Sequence, residues 1–106
     1  MFENINELLD IARSKGASDL HITVGVPPKI RVDGVLESIG EERIMPEDSE
    51  RLIMEIIPER LRKSFADNGE VDFSHAMTGV GRFRVNVFRQ RGSVACVIRL
   101  VAVDIP

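Results

Sequence analysis

Alternating apolar and polar positions predict two short strands, over residues 18–24 and 29–32. In both segments every second residue is apolar, which gives each strand one dry face and one ionisable face. The apolar positions are Leu20, Ile22, Val24, Ile30 and Val32. The intervening positions carry Asp19, His21, Thr23, Lys29, Arg31 and Asp33. We therefore expect each strand to bury one face and to leave polar side chains on the other.

The dipeptide Asp33-Gly34 predicts a two-residue hairpin turn after the second strand. Glycine tolerates the positive φ that such turns need, and aspartate hydrogen-bonds its own backbone. The turn leads into a further short strand over residues 35–39.

The spacing of apolar residues predicts three helices. The first has an apolar stripe at i, i+3, i+4 and i+7, an Asn4 cap with Glu7 three residues on, and a stop at Gly16. Its stripe consists of Ile5, Leu8, Leu9 and Ala12. The second helix begins at Pro46 and ends at Pro58, and the third covers residues 59–66 before Asn68-Gly69. The buried positions expected in these two helices are Leu52, Ile53, Ile56, Ile57, Leu61 and Phe65.

Three strands are predicted in the last third of the chain, over residues 70–76, 81–88 and 93–101. The element order is therefore one helix, three strands, two helices and three strands. An order with hairpins at both ends favours an α+β fold with one mainly antiparallel sheet of about six strands. We expect about three helices to cover one face of that sheet.

Size and composition indicate one soluble domain. The chain has 106 residues, of which 43% are hydrophobic and 29% charged, enough for one modest core. Fourteen basic residues against 17 acidic ones argue against a general nucleic-acid or anionic-membrane surface. No signal peptide and no apolar run long enough for a membrane span are visible, so we expect a cytoplasmic location. The single cysteine, Cys96, lies in an apolar run and is expected to be a core residue.

No catalytic or metal-binding motif is complete. A phosphate loop needs glycines followed by a Lys-Ser/Thr pair, and none of the eight glycines is followed by lysine. Two histidines on separate strands without a cysteine cluster are a weak metal signal, and we expect no metal site. Asp19 and His21 share a strand face, which favours a hydrogen-bonded structural pair. His75 is expected to be half-buried.

The strand over residues 81–88 carries the best candidate for a binding role. Arg82, Arg84 and Asn86 share one face, with the two guanidinium groups ~7 Å apart along the strand. Guanidinium is permanently charged and its forked donors suit phosphate or carboxylate, so the two arginines are a good anion clamp. The competing interpretation is a solvated face whose arginines pair with acidic side chains of the same sheet.

Three further arginines are candidates for contacts with a partner. Arg89 and Arg91 lie near a turn and are expected to be exposed to solvent or to face a partner. Arg99 is a lone charge in an apolar strand. It needs either a buried ionic partner or a place at an interface.

Three segments resemble the secretion-superfamily ATPases, and most closely the type IV pilus retraction motors of the twitching-motility PilT family. The first two are Ala17-Ser18-Asp19-Leu20-His21 and Arg31-Val32-Asp33-Gly34, which resemble the superfamily as a whole. The third runs from Gly81 to Gly92, reads GRFRVNVFRQRG, and is more specific to pilus retraction. The resemblance covers nearly the whole chain.

The resemblance implies that residues 1–106 form a PAS-like N-terminal domain that is not itself an enzyme. It places ATP and Mg in a C-terminal RecA-like ATPase domain of a longer parent protein, with residues 103–106 reading as the linker between the two. It implies a homo-hexamer, contacts with the ATPase domains of the same and neighbouring subunits, and pilus machinery at the inner membrane as a further partner. In that arrangement the nucleotide or subunit-interface contacts come from Arg82, Arg84, Arg89, Arg91 and Arg99.

Two other function classes fit the same elements less well. A free-standing PAS-like sensory or protein-interaction module would need a cavity that grips a ligand, and the chain has no Trp, no Tyr and only five Phe. Binding of single-stranded nucleic acid would need aromatic side chains beside the arginines. Phe83 has the opposite strand parity to Arg82 and Arg84, which argues against such a platform.

Overall fold

A computed structural model of the chain describes residues 2–103, and over this range it contains three helices and six strands in the predicted order. The helices are α1 (Ile5–Ser14), α2 (Pro46–Met54) and α3 (Glu59–Asn68). The strands are β1 (Asp19–Ile22), β2 (Lys29–Val32), β3 (Val35–Ser38), β4 (Glu70–Met77), β5 (Gly81–Gln90) and β6 (Ser93–Val103). The expected interdomain linker falls largely on residues 104–106, which lie outside the described residues.

The strands form one antiparallel sheet in the order β3-β2-β1-β6-β5-β4. The first and last strands meet at its centre, where Leu20 of β1 lies opposite Ile98 of β6. This pairing joins the N-terminal hairpin to the C-terminal three-stranded meander. It sets the side chains of β1 and β2 beside those of β5 and β6.

The helices cover one face of the sheet, as the sequence predicts. α1 packs near β1, α2 on β6 and α3 on β4. Because cross-strand partners share a face, a single register aligns one apolar row through five strands. That row contains Phe73, Val85, Ile98, Leu20 and Ile30, all buried. The α+β fold with a six-stranded sheet and three helices is therefore confirmed.

The first helix begins and ends where its sequence signals lie. The Asn4 side chain accepts a hydrogen bond from the Glu7 N–H at 3.1 Å. At the other end Gly16 has φ +71°, the Gly16 N–H donates to the Arg13 carbonyl, and the Ala17 N–H donates to the Ala12 carbonyl. These two bonds form a Schellman motif. The four residues of the predicted stripe are all buried.

Several predicted element ends are wrong, and those of β1 and α2 have an identifiable physical cause. β1 ends at Ile22 instead of residue 24, because the next segment leaves the sheet and pairs its backbone at Gly25 and Val26 with Ile44. α2 ends at Met54 instead of at Pro58. Pro58 makes helical φ and ψ unfavourable for the residue before it. The chain accordingly leaves the helix and turns over residues 55–57. Buried Ile57 still reaches the core from that turn.

Both tight hairpins carry non-glycine residues at positive φ. Asp33 has φ 51° and Gly34 φ 81°. The predicted two-residue hairpin turn is therefore confirmed, and its positive φ values are those of type I′. Arg91 and Gly92 form the same kind of turn between β5 and β6, with φ 53° and 81°. The second turn brings β6 back along β5, so the two arginine-bearing strands are direct neighbours.

Candidate functional site

The sheet face away from the helices, here called the open face, carries most of the candidate residues. Antiparallel register aligns them in two rows that cross all six strands. One row contains Ser74, Arg84, Arg99, Asp19, Arg31 and Leu36. The adjacent row contains Asp72, Asn86, Val97, His21, Lys29 and Ser38. Residues far apart in the sequence thus become side-by-side neighbours.

Arg84 and Arg99 are direct cross-strand partners, and both are exposed. Within residues 2–103 neither side chain forms a hydrogen bond or an ion pair with a carboxylate. Like charges directly opposite each other destabilise a sheet, so the pair carries a cost that a bound anion would relieve. Together with Asp72, Asn86 and Val97, the two arginines line a shallow depression of ≈ 380 Å³.

Two carboxylates on the edge-strand side of this pair are held by an amide. The Asn86 side-chain amide donates to Asp72 at 2.9 Å and to Glu70 at 3.1 Å. Both carboxylates belong to β4, the edge strand beside β5. The alternative in which Arg82 and Arg84 pair with acidic side chains of the same sheet is not what the described residues form.

Arg82 extends the basic surface toward one end of β5. It is exposed and lines a second depression, of ≈ 260 Å³, with Arg84 and Val101. A bulge lies between the pairs Arg82 with Ala102 and Phe83 with Leu100, so that Val101 is the extra residue. The predicted sharing of one face by Arg82 and Arg84 is confirmed. Exposed Arg99 joins them, which excludes the buried ionic pairing considered for it.

Arg89 and Arg91 do not belong to this cluster. Arg89 lies within β5 and not in the turn, and its parity points to the helix-covered side. There its guanidinium carbon is 4.9 Å from the centroid of the Phe65 ring of α3. Arg91 is exposed in the turn itself. The structure therefore brings together three of the five arginines that the sequence singles out.

One aromatic residue of the open face escaped the sequence argument. Phe88 has the parity of Arg84 and is half-buried opposite Ala95 of β6 and Glu70 of β4. Strand alternation alone could have found it. A single ring beside a carboxylate is a poor stacking platform for nucleic acid, since such platforms stack successive bases within a basic groove.

Asp19 holds a hydrogen-bonded cluster next to the arginine pair. One carboxylate oxygen accepts a bond from the Ser18 hydroxyl at 2.6 Å, and the other contacts His21 Nε2 and lies 3.6 Å from Arg31 Nε. Burial raises the pKa of Asp19, but the hydrogen bonds from Ser18 and His21 and the charges of His21 and Arg31 outweigh burial and lower it. The predicted pairing of Asp19 with His21 is confirmed.

Because the pKa of Asp19 is lower in the folded chain, its ionised form stabilises the fold. That contribution is complete above the unfolded pKa of ~3.9 and is lost as pH falls through the folded pKa. We expect Asp19→Asn to lower the free energy of unfolding at pH 7. The difference in unfolding free energy between the variant and the unmodified chain, here called the gap, should narrow below about pH 4. Urea unfolding of both proteins at pH 7 and pH 3 measures the gap. A gap of equal size at both pH values would contradict the ionic role.

The remaining titratable candidates have structural environments. His75 is half-buried, its Nε2 lies 3.0 Å from the Asn6 side-chain oxygen of α1, and burial lowers its pKa. Cys96 is buried, and burial raises the pKa of its thiol, which fits the expected core role. In residues 2–103 no three His, Cys, Asp or Glu side chains come together as metal ligands.

Comparison with known proteins identifies the relatives of this chain. No family model matches it. It is 38% identical over 100 residues to the type IV pilus ATPase PilU of Pseudomonas aeruginosa, and 41% identical over 98 residues to the type IV pilus retraction ATPase PilT of the same organism. These matches cover 94% and 92% of the chain but only 26% and 28% of the relatives. The chain therefore spans little more than a quarter of the length of these curated relatives.

A solved structure of the pilus retraction motor PilT with bound ADP has the same fold over this region. It superposes with a TM-score of 0.87 at 43% identity, covering 99% of this chain and 31% of that one. The chain fits an N-terminal domain of the PilT family. This result confirms the resemblance drawn from the three sequence segments. The ATPase DotB of Legionella pneumophila, at 24% identity and a TM-score of 0.76 over 92% of this chain and 28% of that one, shows the fold alone.

The PilT-type similarity includes the strands that carry the arginines, since the match to the PilT structure covers 99% of the chain. Among residues 2–103 no helix is long and apolar enough to cross a membrane.

Proposed function

We propose that this chain is a non-catalytic regulatory and assembly domain at the N-terminus of a hexameric, PilT-type pilus retraction ATPase. The observation that carries the proposal is its 38% and 41% identity to PilU and PilT over more than nine-tenths of its length. The sequence has no phosphate loop, so nucleotide hydrolysis belongs to a separate domain of the parent protein. ATP and Mg would bind in that domain.

In this proposal the open face meets the ATPase domain of the same or a neighbouring subunit. Arg84 and Arg99 lie side by side without partners in residues 2–103, and Arg82 lies next to them. Forked guanidinium donors suit the charge that develops on a transferred phosphoryl group and the carboxylates of a facing subunit. The bound ADP of the similar PilT structure supports a nucleotide in the parent protein.

The assembled parent would act on a type IV pilus, as its relatives' names suggest. In this proposal it works in the cytoplasm, at the pilus machinery of the inner membrane. Its contacts would be with proteins and nucleotide, not with nucleic acid, given an open face with a single half-buried aromatic ring.

A sensory module with a ligand cavity is disfavoured by the packing between α1 and the sheet. The gap there, lined by Leu9, Ala12, Phe83 and their neighbours, amounts to ≈ 10 Å³. Such a volume holds at most about one water molecule, whereas small-molecule sites occupy ~300 Å³ or more.

We expect the chain alone to show no tight affinity for Mg-ATP and to remain a monomer or weak dimer. Affinity in such sites comes chiefly from the phosphate loop and its magnesium, and the ring contacts need the ATPase domain as their other half. Calorimetry with Mg-ATP and sedimentation of the same sample measure both properties. Micromolar affinity or a stable hexamer of the chain by itself would contradict this division of roles.

A further inference from the structure

The junction between α3 and β4 carries the one Asn-Gly dipeptide of the sequence, Asn68-Gly69. The Asn68 side chain is exposed at the last position of α3, and Gly69 follows in the left-handed region, with φ 75° and ψ 7°. The space in which a Cβ of Gly69 would lie is empty to 4 Å, so no side chain shields its backbone nitrogen. The other asparagines precede residues with bulky side chains, in Asn4-Ile5, Asn6-Glu7 and Asn86-Val87.

We infer that Asn68 is a site of self-modification, at which the Gly69 nitrogen displaces the side-chain amide. The Gly69 nitrogen forms a bond to Asn68 Cγ, the Cγ–Nδ2 bond breaks, and the proton of the nitrogen leaves with the amide group as ammonia. Water then opens the resulting succinimide ring at either of its two carbonyl carbons. The product is aspartate or isoaspartate at position 68, and water is the only other reactant.

Two hydrogen bonds of the folded chain oppose this reaction. The Gly69 N–H donates to the Phe65 carbonyl at 2.8 Å, and Asn68 Nδ2 donates to Ser64 Oγ at 3.3 Å. Both bonds direct the reacting groups back along α3, and the nitrogen cannot attack while its proton is held in the first bond. The reaction therefore requires the last turn of α3 to open. Helix ends fray at a lower cost than global unfolding, so opening of this turn sets the rate.

The product would weaken the connection between α3 and the sheet. The last turn of α3 contains Asp67 and no basic residue, and a further carboxylate there lies at the negative end of the helix dipole. Isoaspartate also adds one methylene to the main chain directly before Gly69. The Gly69 carbonyl accepts the Arg89 N–H at 3.2 Å, which ties the start of β4 to β5. We expect the modified chain to melt roughly 4 °C below the unmodified one.

Peptide mapping by mass spectrometry tests the inference on the chain itself. One sample is kept folded at pH 8 and a second is kept unfolded in urea at the same pH. Both should show the mass gain of amide-to-acid conversion at Asn68 before any other asparagine. The rate should be roughly fivefold to a hundredfold lower in the folded sample, because at least one hydrogen bond must open. Equal rates in the two samples, or no gain in the folded one after many half-times of the urea sample, would overturn the inference.

Two glycine substitutions separate local opening of α3 from global unfolding. Ala66→Gly, at an exposed position of α3, loosens the last turn and should raise the folded-state rate roughly fivefold without changing the rate in urea. Glu50→Gly, at an exposed position of α2, is the matched control. It weakens a different helix and should leave the rate at Asn68 unchanged. Equal acceleration by both substitutions would show that global unfolding limits the reaction and would refute control by the last turn.

Discussion

Replacing Arg84 with alanine in the full-length protein should lower ATPase turnover by ~10³-fold while leaving the domain folded. An arginine that meets phosphate charge developing across a domain boundary can contribute that much to the rate. Truncation of the side chain creates no core cavity, because Arg84 is exposed on the open face and has no side-chain partner within residues 2–103. The cost in folding free energy should stay within about 0.5 kcal/mol, as for ordinary surface positions.

Turnover and melting temperature are measured on the same variant. Arg84→Lys should restore only part of the activity, because an ammonium group cannot make the forked contact. Arg82→Ala and Arg99→Ala should act in the same direction. Arg60→Ala, at an exposed arginine of α3, is the matched control and should change neither quantity. Unchanged turnover in Arg84→Ala together with a melting temperature several degrees lower would make Arg84 a structural residue.

Gly81→Ala should destabilise the chain by about 3 kcal/mol or more. Gly81 begins β5 with φ +154°, a conformation that other residues rarely adopt. A Cβ at this position would overlap the backbone carbonyl oxygen of Ala102 and lie 3.2 Å from Leu100 Cδ1. Relief of the overlap requires β5 and β6 to separate beside the bulge, which adds backbone strain to overpacking.

Gly40→Ala is the control for the glycine substitution. Gly40 also has positive φ, +71°, but a Cβ there would meet no atom within 4 Å. Its cost should be the left-handed strain alone, about 1 kcal/mol. In a domain of this size 3 kcal/mol lowers the melting temperature by roughly 12 °C or more. Thermal unfolding of both variants measures the difference. Similar melting temperatures would show that the close Ala102 carbonyl oxygen does not add to the cost of Gly81→Ala.

Local signals in the sequence were enough for the number, order and type of the elements. The apolar stripe of α1, the Asn4 cap, and the Asp33-Gly34 turn act over a few residues and need no distant partner. The same alternation correctly put Arg82 and Arg84 on one face of a strand. Element ends were less certain, because the end of β1 depends on backbone bonds to Ile44, more than 15 residues away.

Strand order was decided only by the tertiary structure. Nothing local to β1 or β6 shows that the first and last strands pair, yet this pairing places Arg99 between Arg84 and Asp19. In the same register the carboxylate of Asp19 contacts Ser18, His21 and Arg31. Strand alternation, which is visible in the sequence, shows which side chains can face solvent together. The long-range register, set by burial of one apolar row, decided which of them are neighbours and which arginines remain unpaired in the described chain.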